Sequence, residues 1–207
     1  MFNSIDKLLS ISSESLIKAY VVNYTDNSLM STLFEMLLKK NGFYTFESAL
    51  HVFPLGKKKG VMDIESWNSA DVWKSAYGNL ANPFFCFAED VFGMQFCIYE
   101  DNICLLDAET AHYEVVASTL EEWAEKILKD YNVLTGYPIA HQWQKKYDRI
   151  PEGYRLFPKM PFVAGGSFDI NNLYVANTIE GMQARGAIAQ QIHDLPDGTK
   201  IEFTIVE

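Results

Sequence analysis

Two adjacent carboxylates, Glu89 and Asp90, sit inside the most aromatic stretch of this chain, Phe84-Phe85-Cys86-Phe87-Ala88-Glu89-Asp90-Val91-Phe92-Gly93-Met94-Gln95-Phe96. Paired carboxylates can carry acid and base chemistry when their surroundings hold their pKa values apart. Direct neighbours in sequence rarely supply that geometry. On a strand they point to opposite faces, and in a turn they cap backbone amides or stand in solvent. The flanking aromatic runs read as strands, so Glu89 and Asp90 are expected in a turn between them, with a structural or partner-contacting role. A second acidic turn, Tyr99-Glu100-Asp101, follows closely.

The other residues with chemical potential are scattered. His51, His112, His141 and His193 show no pair at ligand spacing and no adjoining cysteine cluster, so no metal site is expected. Cys86, Cys97 and Cys104 form no C-x-x-C and lie in aromatic or aliphatic surroundings, which predicts buried free thiols in a reducing compartment. There is no G-x-S-x-G, and Gly165-Gly166-Ser167 lacks the lysine and spacing of a phosphate loop. The remaining route to an enzyme is a site assembled only by folding, from Cys97, His112 and the Glu89-Asp90 turn. No catalytic residue or cofactor is assigned.

These residues must be positioned by the elements around them. Phe84–Ala88, Gln95–Tyr99, Asn102–Asp107 and Tyr113–Ala117 read as strands, and a helix opens at Ser118-Thr119-Leu120-Glu121-Glu122-Trp123. Leu120, Trp123, Ala124, Ile127, Leu128 and Tyr131 share one face of that helix, and Ser118 with Glu121 or Thr119 with Glu122 offers a capping box. An earlier helix, capped by Asn27 or Ser28, carries Leu29, Met30, Leu33, Phe34, Leu37 and Leu38 and stops at Asn41-Gly42. Extended segments follow at Phe43–Phe46 and Ala49–Phe53. Ile64, Trp67, Ala70, Trp73 and Tyr77 recur at helical steps, predicting another helix from Asp63 to Tyr77. Lys57-Lys58-Lys59, between glycines, reads as a hydrated turn tip.

Beyond Tyr131 prolines and glycines break the sequence into loops, whose aromatic residues are expected to wrap the main core. A helix from Asn177 or Thr178 through Ile192 is weakened by Gly181 and Gly186. Leu195-Pro196-Asp197-Gly198-Thr199 reads as a turn before a last strand carrying Ile201, Phe203 and Ile205. One continuous fold over residues 1–207 is expected, with a core at about 28–131 and residues 132–207 packed on it.

Charge and hydropathy narrow the function classes. Seventeen basic against 27 acidic side chains leave a net charge of -10, which repels phosphate backbones and argues against direct nucleic-acid binding. The N-terminus lacks a basic segment leading into an apolar run, so no signal peptide is expected, and no apolar stretch approaches membrane-spanning length. A cytoplasmic protein without membrane association is the expectation.

The aromatic segment Phe84–Phe96, two strand-like runs and the Ser118-Thr119-Leu120-Glu121-Glu122-Trp123 helix together resemble the SUKH superfamily, the fungal glucan-synthesis-regulator and bacterial toxin-immunity proteins. Its members show F-F-x-F-A-x-D/E-x-x-G-x-x-F, two strands and an S-x-x-E/D-W/F helix. The resemblance spans about Asn82 to Leu128, with looser support from Lys40-Asn41-Gly42-Phe43 after a helix. It departs from the pattern before Asn41, where no Leu-Pro leads into the first helix. It implies an α+β fold, a mainly antiparallel sheet flanked by helices. It also implies an immunity protein that binds a cognate protein toxin, often a nuclease or deaminase domain, and neutralises it by occlusion. A regulatory or scaffolding module of the same superfamily would share the binding chemistry and differ in partner. On this reading Glu89, Asp90, Tyr99, Glu100 and Asp101, which combine charge or aromatic surface with turn exposure, are the expected partner-binding residues.

Overall fold

The computed structural model describes residues 3–18, 28–196 and 198–200. The strand expected at Ile201, Phe203 and Ile205, and Asn27 as a cap, lie outside the described residues. In chain order the elements are α1 (Ser4–Ser10), α2 (Leu29–Lys39), β1 (Phe43–Thr45), β2 (Leu50–Val52), α3 (Ile64–Trp67), β3 (Phe85–Asp90), β4 (Gln95–Tyr99), β5 (Asn102–Leu106) and β6 (Tyr113–Ala117). There follow α4 (Leu120–Leu134), α5 (Tyr137–Tyr147), β7 (Tyr154–Pro158), β8 (Leu173–Asn177) and α6 (Thr178–Ile192).

Tight turns between short apolar strands make the sheet a meander. β1 to β6 pair antiparallel in sequence order, while β7 and β8 form a separate antiparallel pair. The turn from β4 to β5 has left-handed backbone at both Glu100 (φ 46°) and Asp101 (φ 56°), the conformation whose twist matches that of paired strands. Register places Tyr44, His51, Glu89, Gln95, Leu106 and Tyr113 directly opposite one another across all six strands. Directly paired positions share a face, so a row that is polar from β1 to β4 continues through Leu106 to Tyr113 across the sheet. A bulge in β3 between Cys86 and Ala88 shifts its register on β4.

α4 covers the opposite face. Its Trp123 meets Phe87 and Phe96 edge-on, with ring centroids 5.1 and 5.7 Å away. Thr119 caps α4 by accepting from the Glu122 amide at 3.1 Å, and the Glu122 carboxylate reaches back to the Ser118 amide at 2.8 Å. Glu121 is used elsewhere: it accepts from the amides of Ser4 and Ile5 and so caps α1. Ile5, Leu8 and Leu9 thereby join the main core, which begins earlier in the chain than residue 28, where the sequence reading placed it.

Two local expectations are corrected. The helix expected from Asp63 to Tyr77 is α3 followed, after turns, by a short 3₁₀ segment, Lys74–Tyr77. The Asn68 side chain ends α3 because it hydrogen-bonds both the amide and the carbonyl of Cys86 at the β3 bulge, at 2.8 and 2.7 Å. Those strand groups compete successfully with the next helical turn. Ala70 is exposed, whereas Trp67, Trp73 and Tyr77 form an aromatic ladder with Phe53.

The loop-rich region after Tyr131 holds α5 and the β7–β8 pair, which the sequence reading missed. Gly136 precedes α5 with φ 68°, and a Cβ there would lie 2.5 Å from the Phe92 ring. Pro138 occupies the first turn of α5, where its missing N–H costs nothing. Ala140, Trp143, Ile150, Leu156 and Leu173 build a second small core around Val91 and Phe92.

α6 returns to the main core through Met182 and Ala189. Its two glycines are close-contact positions. A Cβ at Gly181 would strike the Phe157 ring, and one at Gly186 would lie 2.6 Å from the Ala76 carbonyl. Gly186→Ala should therefore destabilise the protein by urea denaturation: overpacking costs roughly 1–3 kcal/mol, against a helix-propensity gain of about 0.5–1 kcal/mol. A raised urea midpoint would mean that α6 does not seat on Ala76.

Candidate functional site

Glu89 and Asp90 end strand β3 and are buried, at 0% and 5% exposure. This corrects their expected place in an exposed turn: Glu89 is sealed within the sheet, and Asp90 reaches only the wall of a cleft. Successive strand residues face opposite ways, so the two acids enter different environments.

Glu89 faces the polar row. Its Oε1 lies 3.0 Å from His51 Nδ1 and 3.0 Å from Arg155 Nε, and its Oε2 accepts from the Thr178 hydroxyl at 2.9 Å. Gln95, its cross-strand neighbour, bridges to the Trp67 indole N–H at 2.8 Å. The His51 ring stacks on Tyr44 with centroids 4.3 Å apart, and the Arg155 guanidinium lies over Tyr44 at 5.4 Å. Burial alone would raise the Glu89 carboxyl pKa, but Arg155, with His51 and Thr178, outweighs it and holds the group below the ordinary carboxylate range. Burial lowers the His51 pKa, so the neutral ring donates from Nδ1 to the carboxylate. The Glu89 carboxylate is thus engaged by His51, Arg155 and Thr178 within the fold.

Asp90 turns the other way. Its Oδ1 accepts from the amides of Phe92 and Met94 at 2.8 and 2.9 Å, closing the turn from β3 to β4. Burial pushes its carboxyl up to about 7, against the opposing pull of those amides and of Arg185 and Arg155. The same turn is held from α6, where Arg185 donates to the Phe92 carbonyl, lies over the Phe157 ring at 4.7 Å and faces Glu109 at 3.6 Å.

Asp90 also lines a cleft of about 750 Å³ between the β5–β6 edge, the end of α4 and the start of α5. Phe92, Met94, Leu105 and Ile139 form much of its wall, and Asp107, His112 and Glu114 lie around it.

Glu100 and Asp101 stand exposed at the β4–β5 tip, as expected, with Tyr99 partly buried beside them. The Tyr99 ring packs against Phe84 at 4.8 Å and Tyr113 at 5.3 Å. The tip therefore continues onto edge strand β6, where Tyr113 and Val115 are 46% and 60% exposed.

Of the residues from which an enzyme site was to be assembled, Asp90 and His112 border the same cleft, while Cys97 and Glu89 are buried and not among its lining residues. Cys97 is buried, 3.0 Å from Cys86 Sγ and paired in register with Cys104; burial pushes its thiol pKa well up, which disfavours the reactive thiolate. His112 is exposed and bonds the His193 carbonyl at 3.0 Å. All three cysteines are free and buried. Among the described residues no group of three or more histidines, cysteines and acids is arranged to hold a metal ion, and no helix is long and apolar enough to cross a membrane.

Sequence reading missed Arg155, Thr178, Arg185 and Glu109. The available signal was an arginine inside the apolar run Tyr154-Arg155-Leu156-Phe157 and another beside the close-packed Gly186. A charge at such a position requires a buried partner.

No family model matches the chain, and no curated protein does. The fold is similar to the crystal structure of Atu4351 from Agrobacterium tumefaciens, with a TM-score of 0.54 and 10% identity over 86% of each chain. At that identity the likeness concerns the fold alone.

Two outcomes follow from the paired acids. Arg155→Met leaves the Glu89 carboxylate buried without its cation and should cost about 3–5 kcal/mol in urea denaturation, whereas Arg155→Met combined with Glu89→Gln should recover part of that loss. Equal losses in the single and double variants would show that the ion pair is not what Arg155 supplies. Asp90 has a raised folded pKa, so its contribution is complete below the unfolded value of about 3.9 and is lost as pH rises through about 7. The stability of Asp90→Asn relative to the parent should accordingly rise between about pH 5 and pH 8, by on the order of 2 kcal/mol. A difference independent of pH would place the Asp90 titration elsewhere.

Proposed function

We propose that this chain is a non-catalytic protein-binding module that neutralises a cognate protein toxin by covering its site or its substrate path. The observation that carries the reading is the acidic and aromatic surface formed by Tyr99, Glu100 and Asp101 at the β4–β5 tip, where the Tyr99 ring packs on exposed Tyr113 of edge strand β6, with exposed Val115 on the same face of that strand. Exposed aromatic and aliphatic side chains beside carboxylates suit a basic partner surface. The charges would speed encounter and the apolar anchors would slow release.

The net charge of -10 supports the same kind of partner, and the SUKH resemblance of Phe84–Phe96 and the α4 helix supports the toxin-immunity class. The encounter is placed in the cytoplasm, a location that three free buried thiols favour. Because Glu89 and Asp90 are buried, the partner-binding set narrows to Tyr99, Glu100 and Asp101 together with the neighbouring β6 residues.

If a toxin domain is encoded beside this gene, co-expression with it should restore growth and yield a complex that co-purifies. Glu100→Lys combined with Asp101→Lys, both at exposed turn positions, should slow association about tenfold or more at low salt while leaving the fold intact. Rescue without any complex, or binding unaffected by this charge reversal, would sink the proposed surface. Absence of both rescue and complex would sink the immunity reading.

A further inference from the structure

The cleft beside Asp90 does not include the β4–β5 tip residues Tyr99, Glu100 and Asp101, touches β6 at Tyr113 and Glu114, and its chemistry points to a different kind of ligand. Its volume, about 750 Å³, is within the size range of small-molecule sites, roughly 300–1,000 Å³. Phe92, Met94, Leu105 and Ile139 give it apolar walls, and the rings of Phe92 and Phe168 meet edge-to-face at 5.4 Å.

The charge pattern within this apolar space is one-sided. Asp90, Asp107 and Glu114 line the cleft, and no lysine or arginine is among its lining residues. Asp107 Oδ1 is occupied by the amides of Glu109 and Thr110 at 2.7 and 3.0 Å. Asp90 is 95% buried, with Oδ1 held by two amides, and among the described residues no group bonds its Oδ2. Oδ2 is not among the sealed, partnerless side-chain atoms of the described residues, so it is an acceptor that a donor entering the cleft can reach.

An anion entering here would meet Asp107, Glu114 and, above about pH 7, an ionised Asp90, with no lysine or arginine in the lining. A neutral ligand would fill the walls without offsetting their charge. A cation on an apolar body would satisfy both conditions, and the aromatic rings add attraction for an ammonium group. We infer that this cleft is a binding site for a small organic cation, an ammonium group carried on an aryl or aliphatic body, with Asp90 as its counter-ion. This inference stands without the toxin-binding reading: it rests on Asp90 and the cleft walls, lies away from the β4–β5 tip, meets that surface only on β6, at Tyr113 and Glu114, and needs no protein partner.

The test is calorimetric titration of the purified full chain with three probes of one shape: phenethylammonium, phenethyl alcohol and phenylacetate. The ammonium should bind tightest. Asp90→Asn, which keeps an oxygen to accept from the Phe92 and Met94 amides, should weaken ammonium binding by about tenfold or more and leave the alcohol almost unaffected. Val133→Lys alters a rim residue that is 74% exposed, so it carries little risk to folding and places a competing cation at the mouth. It should weaken the ammonium by about two- to fourfold. Equal binding of the three probes, preference for phenylacetate or the alcohol, no ammonium binding at millimolar concentration, or indifference to both substitutions would each overturn the proposal.

Discussion

A fully buried carboxylate cannot remain ionised in an apolar sheet without nearby charge and donors, and Glu89 imposes that requirement on most of the chain. Its partners come from β2 through His51, from β7 through Arg155 and from the start of α6 through Thr178. The segments after Tyr131 are thus fastened to the central sheet by hydrogen bonds and an ion pair as well as by apolar contact. Because Arg155 is itself fully buried, neither charge can be removed alone without stranding the other.

The neighbouring acid shows how one peptide step separates two roles. Asp90 leaves the opposite side of β3, closes the turn with Oδ1 and borders the cleft. Arg185 reaches that turn from α6 through the Phe92 carbonyl, so the same helix braces both acids. Its close seating depends on Gly181 and Gly186, which let the helix approach the Phe157 ring and the Ala76 backbone. The residues that weaken α6 as an isolated helix are those that allow it to dock.

The exposed features lie apart from this network. The β4–β5 tip and β6 present acidic and aromatic surface, while the buried acids hold the sheet that displays it. Cysteine and histidine chemistry is absorbed by packing: Cys86 and Cys97 face each other in the core, and His51 serves Glu89 as a neutral donor.

Local pattern alone was enough to place β4 to β6, the body of β3, helices α2 and α4 and the acidic β4–β5 tip, because alternation and helical spacing act over a few residues, while it offered two caps for each helix, of which the structure uses Ser28 and Thr119. The same spacing misled at Trp67 to Tyr77, where Asn68 found strand groups to bond and two short turns replaced one helix. α5 was obscured by Gly136 and Pro138, although a proline in a first turn is compatible with a helix start. The burial of Glu89 and Asp90 was decided by tertiary structure alone. Glu89 stays ionised through Arg155 and Thr178, which lie far along the chain and which only folding can bring close enough to outweigh desolvation, whereas at Asp90 desolvation prevails. The cleft likewise belongs to no single segment, since its walls come from the β3–β4 turn, β5, β6 and the junction of α4 with α5.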